Sequence, residues 1–310
     1  MSLAGRDLLV EDDVADDAAQ GVSLLVDSLR RLRRNRLAMV GAWLSCLLTA
    51  ACFVGPMIIE LTWGYSYEQQ NLAYGARPPN LSHWFGTDFF GRDLMTRVLH
   101  GGRVSLMVGL LAASVAATVG TLYGAIAGYL GGRVDGFMMR VVDVVYALPY
   151  MFVVIILVAI LQATSLFSLF VGLGLVGWLM TARIVRGQIL SLKEREFVLA
   201  ARCLGASDAT IIFRHLIPNT LGPIIVYFTL TVPSMILQEA FLSFLGLGVQ
   251  APRPSLGALI NDGAQQMTVF WWELAFPGAV MAALLFSLNF MGDGLRDALD
   301  PQLRGRQSGS

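Results

Sequence analysis

Six stretches of the chain are apolar for about the twenty residues a helix needs to cross the hydrocarbon core of a bilayer. They are Leu37–Ile59, Val104–Leu130, Val141–Leu161, Leu166–Val185, Leu221–Phe241 and Trp271–Met291. The apolar positions run continuously, whereas a membrane β-barrel needs short alternating segments. Lipid offers no partner to open backbone groups, so each stretch predicts a helix. The pattern therefore predicts an all-α membrane protein with six transmembrane helices. It divides into residues 1–36, a tail and basic amphipathic segment; 37–103, the first span and a long loop; 104–300, a five-helix core that includes a connection over 187–220; and 301–310, a second tail.

Between the spans the polar positions carry the orientation. With the N-terminus inside, 17 of the 22 basic residues face the cytoplasm, among them the Arg30–Arg36 cluster, and 5 face out. That asymmetry predicts an N-in, C-in topology. Asp7, Glu11, Asp12, Asp13, Asp16 and Asp17 make the first twenty residues an acidic tail without apolar period. Val22, Leu25, Leu29 and Leu32 follow helical spacing beside Arg30, Arg31, Arg33 and Arg34. They predict either a helix lying on the inner membrane face or a basic flank of the first span.

Three connections exceed simple turns. The outer segment Glu60–Arg103 contains Phe85-Gly-Thr-Asp-Phe-Phe-Gly-Arg-Asp-Leu-Met-Thr-Arg97. Thr87 or Asp88 is expected to cap a short helix, and Asp93 and Arg97, four apart, to pair along it. Asp88, Arg92 and Asp93 are candidates for an outer docking surface, with a structural lid as the competing reading. The inner connection Gly187–Thr220 predicts two short helices. The first spans Ser191–Leu204 and stops at Gly205 in a left-handed turn. The second starts at a Ser207 cap, with Asp208 at its positive end, and Pro218 separates it from the fifth span. Leu199, Cys203, Ile211, Ile212 and Phe213 need cover there, and the chain has no large domain to give it. The third connection, Gly246–Phe270, reads as a Gly- and Pro-rich outer loop ending at interfacial Trp271 and Trp272.

Inside the spans, Gly109, Ala113, Ala117, Gly120, Gly124 and Gly128 share one helical face and predict close helix packing. Pro149, Pro223 and Pro233 are positions where spans can bend. Glu239 is the notable ionisable residue, a candidate for a path or gate or else for an interhelix hydrogen bond. Asp143, Arg183 and Arg186 lie near the inner boundary, where they can snorkel.

Composition narrows the function. Hydrophobic residues make up 55% of the 310 and charged residues only 14%, with no net charge. This excludes an ordinary soluble domain and gives no footprint for nucleic acid. The single lysine, Lys193, follows leucine, so the chain carries no nucleotide-binding P-loop of its own. His83, His100 and His215 are scattered, and no metal-ligand spacing or hydrolase nucleophile motif occurs. Cys46, Cys52 and Cys203 are not placed for a disulfide. No catalytic residue and no metal is expected. A secondary transporter would be expected to show inverted repeats and midplane charges; no inverted repeat is evident and central charges are few, which disfavours that alternative.

The inner connection resembles the loop of permease subunits of binding-protein-dependent ABC importers. Ala200, Ala201, Gly205 and Pro218 stand at that loop's spacing, with Leu199 where the family has Glu, His215 where it has Ile, and Ile217 where it has Leu. Glu196 lies one turn before the missing Glu. Gly86-Thr-Asp88, Gly91-Arg-Asp93, Gly102–Leu106, Phe241–Gly248 and Gly292–Asp297 look like the C-type subunit of the oligopeptide/dipeptide permeases. Met139–Asp143 and Ala182–Gln188 look most like the oligopeptide branch; dipeptide, nickel and antimicrobial-peptide permeases share much of the pattern. The resemblance spans about residues 22–306. It implies the type I ABC importer permease fold and a multi-pass position in the bacterial inner membrane. The implied partners are a homologous B-type permease, two ATP-binding subunits that hold the ATP and Mg, and an extracytoplasmic peptide-binding protein. This chain itself would bind no cofactor. It also implies that Glu196, Ala200, Ala201, Gly205, Ser207, Asp208, Arg214 and Pro218 couple the chain to an ATPase.

Overall fold

The computed structural model describes residues 32–33, 35–160, 166–250 and 252–299. The acidic tail, nearly all of the basic amphipathic segment, and residues 300–310 with Arg304 and Arg306 lie outside the described residues. The described chain is almost entirely helical: α1 Arg36–Trp63, α2 Leu94–Leu130, α3 Gly132–Ala147, α4 Tyr150–Ile160, α5 Leu166–Leu192, α6 Glu196–Cys203, α7 Asp208–Thr210, a π-helical turn Ile211–Leu216, α8 Ile217–Asn219, α9 Leu221–Phe244, α10 Leu256–Gln266 and α11 Trp271–Leu299. Five of these helices are long and apolar enough to cross a membrane, and α3 with α4 would make a sixth.

That sixth crossing is expected from the sequence over Val141–Leu161, with Pro149 as a place where it can bend. The helix starts earlier, at Gly132, and α4 leaves it at 91°. Pro149 has no amide hydrogen to continue the helix, and it forces Leu148 into an extended conformation (φ −77°, ψ 143°). Several other helices outrun their apolar stretch. The second span begins at Leu94, ten residues before the apolar run, because the Asp93 side chain accepts from the Thr96 amide and caps it there. Thr87 and Asp88 therefore start no helix; Thr87 forms an isolated bridge with Asp93. The expected outer loop after Gly246 contains α10, capped by Ser255; turn residues before and after it hide a helix of only 11 residues.

The centre of the bundle is α2, packed against α5, α9 and α1. Its small residues give the close packing that their spacing predicts, Gly120, Gly124 and Gly128 against α5 and Gly109 against α9. A β-carbon on Gly120 would come within 2.6 Å of Thr181 Cβ, and one on Gly128 within 3.0 Å of Ile189 Cβ. With no hydrophobic driving force between helices in lipid, this close backbone approach supplies the contact. Two ion pairs and a hydrogen bond close the same end: Arg186 donates to Asp135 (Nη2–Oδ2 2.6 Å), Arg183 to Asp143 (2.8 Å), and Lys193 Nζ to the Gly128 backbone carbonyl (3.1 Å). Asp135, Asp143, Arg183 and Arg186 thus pair α3 with α5.

Candidate functional site

The connection between α5 and α9 is a helical turn resting on a buried base. Glu196 opens α6, and after Cys203 the chain turns at Gly205, whose φ of +81° lies in the left-handed region. Two hydrogen bonds close the turn: Gly205 N–H to Arg202 O (3.0 Å) and Ala206 N–H to Ala201 O (3.1 Å). This is the paired bonding of a Schellman C-cap, and it requires a residue that tolerates positive φ. Ser207 then caps the next helix, accepting from the Thr210 amide at 3.3 Å. Both features follow the sequence expectation. The helix beyond departs from it. It tightens and loosens through a π-turn, with the Ile217 amide reaching back five residues to Ile212 O, and Pro218 sits within a helical turn that runs on to α9 with only Thr220 between them. Pro218 tolerates this position because the first turn of a helix needs no amide donor there.

The apolar residues of this connection divide between two fates. Ile211, Ile212 and Leu216 are buried in a cluster with Val198, Ala125, Val185 and Ile189 from α6, α2 and α5. The expectation that Ile211 and Ile212 need an outside cover is therefore corrected: the chain covers them itself. Leu199, Leu204 and Phe213 stay exposed, Leu204 by 88%. Glu196, Ala200, Gly205, Ser207, Asp208, Arg214 and Pro218 are exposed beside them, and Ala201 is half-buried. Asp208 accepts a hydrogen bond from the Tyr129 hydroxyl (2.6 Å), and Arg202 lies over the Tyr129 ring. The end of α2 is thereby tied to the start of the second short helix.

At the opposite end, Asp88 and Asp93 face inward. Asp88 accepts from the Phe90 and Arg92 amides (3.0 and 2.9 Å), from Arg92 Nε (2.7 Å) and from Arg97. The expected Asp93–Arg97 pair is not formed, because Asp93 bonds His83 (2.9 Å) and caps α2, while Arg97 turns to Asp88. Trp272 of α11 donates its indole N–H to the Thr87 carbonyl at 3.0 Å, which fixes this cap on the bundle. Gly91 (φ +69°) crosses so close to Asn71 O that a side chain has no room. Phe89 and Phe90 are the exposed neighbours of Asp88.

Glu239 is fully buried. Its carboxylate accepts from Ser105 of α2 and Ser243 of α9 (both 2.7 Å), and Ser243 lies 3.2 Å from the Ser255 hydroxyl that caps α10. Of the two sequence readings, the interhelix hydrogen bond is the one formed; the carboxylate touches no accessible surface. What sequence reading missed lies beside it. Gln238, Ser234, Thr231 and Tyr227 line a cavity of about 530 Å³ with Tyr150 and residues of α3 and α5. Their spacing of four, three and four was the available signal.

Residues 120–305 match the family described as the binding-protein-dependent transport system inner membrane component, and residues 23–79 match the N-terminal transmembrane domain of oligopeptide transport permease C. The chain belongs to this transport-permease family. The oligopeptide transport system permease protein OppC of Salmonella typhimurium is 51% identical over 92% of this chain and 93% of its own. The dipeptide transport system permease protein DppC of Bacillus subtilis is 46% identical over 91% of this chain and 87% of its own. The fold matches a chain of the inward-facing MetNI methionine ABC transporter, with a TM-score of 0.53 and 16% identity over 67% of this chain and 98% of that one. The chain is accordingly an inner membrane component with the ABC importer permease fold.

Proposed function

We propose that this chain is the C-type permease of an ATP-driven peptide importer. It crosses the membrane six times with both ends in the cytoplasm and shares the translocation path with a homologous B-type permease. Two ATP-binding subunits dock from below and hold all the ATP and Mg; a peptide-binding protein delivers from above. The observation that carries this reading is the exposed turn over Glu196–Pro218. Its apolar Leu199, Leu204 and Phe213 are presented to solvent while its base is packed into the bundle. An exposed apolar patch on a rigid base fits a partner's groove.

In this reading Glu196, Ala200, Ala201, Gly205, Ser207, Asp208, Arg214 and Pro218 form the surface the ATPase grips. Leu199 leaves no carboxylate at that point of the loop, and the exposed Glu196 offers one a turn earlier. Closure of the ATPase pair moves the turn, and the Tyr129–Asp208 bond passes the movement to α2. ATP drives the cycle only by binding more tightly to the state with the path open outward. On the far side, Asp88, Arg92 and Asp93 shape the cap that the binding protein meets, from within, while Phe89 and Phe90 present its surface.

The test is co-expression with the neighbouring subunits, purification of the complex and reconstitution in lipid. Peptide plus binding protein is expected to stimulate ATP hydrolysis and ATP-dependent uptake. Uptake driven by an ion gradient in ATP-depleted vesicles, or labelling of Lys193 from the external face, overturns the reading.

A further inference from the structure

A membrane helix that offers polar side chains to open space needs something other than lipid against that face. On α9, Tyr227, Thr231, Ser234 and Gln238 recur at four, three and four residues and so share one stripe. The stripe is about 16 Å long at 1.5 Å per residue, half the hydrocarbon thickness. It forms one wall of the 530 Å³ cavity, which the bend at Pro149 and α5 complete, a size within the roughly 300–1,000 Å³ of small-ligand sites. None of the residues lining it is charged. At its rim Arg183 stacks on Tyr146 and pairs with Asp143 at 2.8 Å, so the two charges offset each other.

The polar atoms are committed in a particular way. Thr231 donates its hydroxyl hydrogen to Tyr227 O (2.7 Å), and Ser234 donates to Leu230 O (3.4 Å). Both hydroxyl oxygens are left as acceptors. Gln238 Oε1 accepts from the Tyr150 hydroxyl (2.5 Å), which orients the amide and leaves its NH2 as a donor with no partner among the described residues. The stripe therefore offers acceptors at Thr231 and Ser234 and a donor at each end, the Gln238 NH2 and the Tyr227 hydroxyl, all neutral. That complements the N–H and C=O groups of an extended peptide backbone and ignores the charge of its side chains.

We infer that this stripe is the part of the chain that contacts passing peptide, and that it binds the backbone and not the side chains. The inference rests on the peptide-importer reading and specifies the wall and its chemistry.

The test uses the reconstituted complex with Cys46, Cys52 and Cys203 replaced and a single cysteine at Ser234→Cys, or at Ile225→Cys on the opposite face of α9. A membrane-impermeant thiosulfonate reagent is expected to label the Ser234 position, and transported tri-alanine to protect it, while the Ile225 position gives neither result. In parallel, Gln238→Glu places a fixed charge on the stripe. Because like charges a few ångströms apart repel strongly near a protein surface, uptake of tri-glutamate relative to tri-lysine is expected to fall about tenfold against the wild-type ratio. Comparing ratios cancels the preference of the binding protein. If wild-type complex imports peptide with ATP, yet Ser234→Cys is unlabelled or unprotected and the Gln238→Glu ratio is unchanged, the stripe is not the wall. If wild-type complex imports no peptide, the importer reading itself fails and takes the stripe with it.

Discussion

Replacing Gly205 tests whether the backbone of the exposed turn, and not its side chains, carries the coupling. At φ +81° a β-carbon is strained, but it would meet no atom within 4 Å. Any cost is therefore conformational. A left-handed residue costs an L-amino acid roughly 1–2 kcal/mol, most for β-branched side chains and least for Asn. About 1.4 kcal/mol is a tenfold change in the population of the turn. The turn holds two hydrogen bonds and sets the angle between α6 and the Ser207 helix, whereas the cluster below it is built from other residues. Gly205→Asn should behave as wild type, Gly205→Ala should lose some coupling, and Gly205→Val should lose about tenfold in peptide imported per ATP hydrolysed. Thermal unfolding of the membrane bundle should hardly move. The assay is paired measurement of phosphate release and peptide uptake in proteoliposomes. Normal coupling in Gly205→Val refutes the reasoning. So does a Gly205→Asn variant as poor as Gly205→Val, since the backbone would then not be the cause.

Other consequences are open to simpler measurements. Asp88→Ala strips the partner from Arg97 and should destabilise the cap by about 3–5 kcal/mol, read as a lower unfolding temperature in detergent; Phe89→Ala, beside it but exposed, should not. Gly124→Leu drives a side chain into the Ala182 carbonyl of α5, and such overpacking costs about 1–3 kcal/mol or more, so the variant should accumulate poorly in the membrane. Tyr129→Phe removes one hydrogen bond to the exposed Asp208 carboxylate, worth about 1.5 kcal/mol. It should leave the melting curve nearly unchanged while weakening the response of ATP hydrolysis to peptide; an unaltered response would separate α2 from the coupling turn.

The sequence by itself determined the long apolar helices and the turn. Continuous apolar runs admit one structure in lipid, and the small-residue face of α2, the glycine at 205 and the serine at 207 act through local geometry that one segment fixes alone. It also carried the family pattern, down to Leu199 where a Glu is usual. Partnership was what the tertiary structure decided. Asp93 was expected to bond Arg97 because they are four apart, yet His83 and the start of α2 claim it, and Asp88 takes the arginine. Read from the sequence alone, Ile211 and Ile212 call for a partner protein, whereas α2 and α5 fold under them. Helical spacing says which residues share a face, but the neighbour across that face comes from distant segments. The 91° bend at Pro149 and the cavity beside Gln238 exist only once α3, α4, α5 and α9 have met. A linear pattern can locate a proline, but the direction in which the chain leaves it is set by the packing around it.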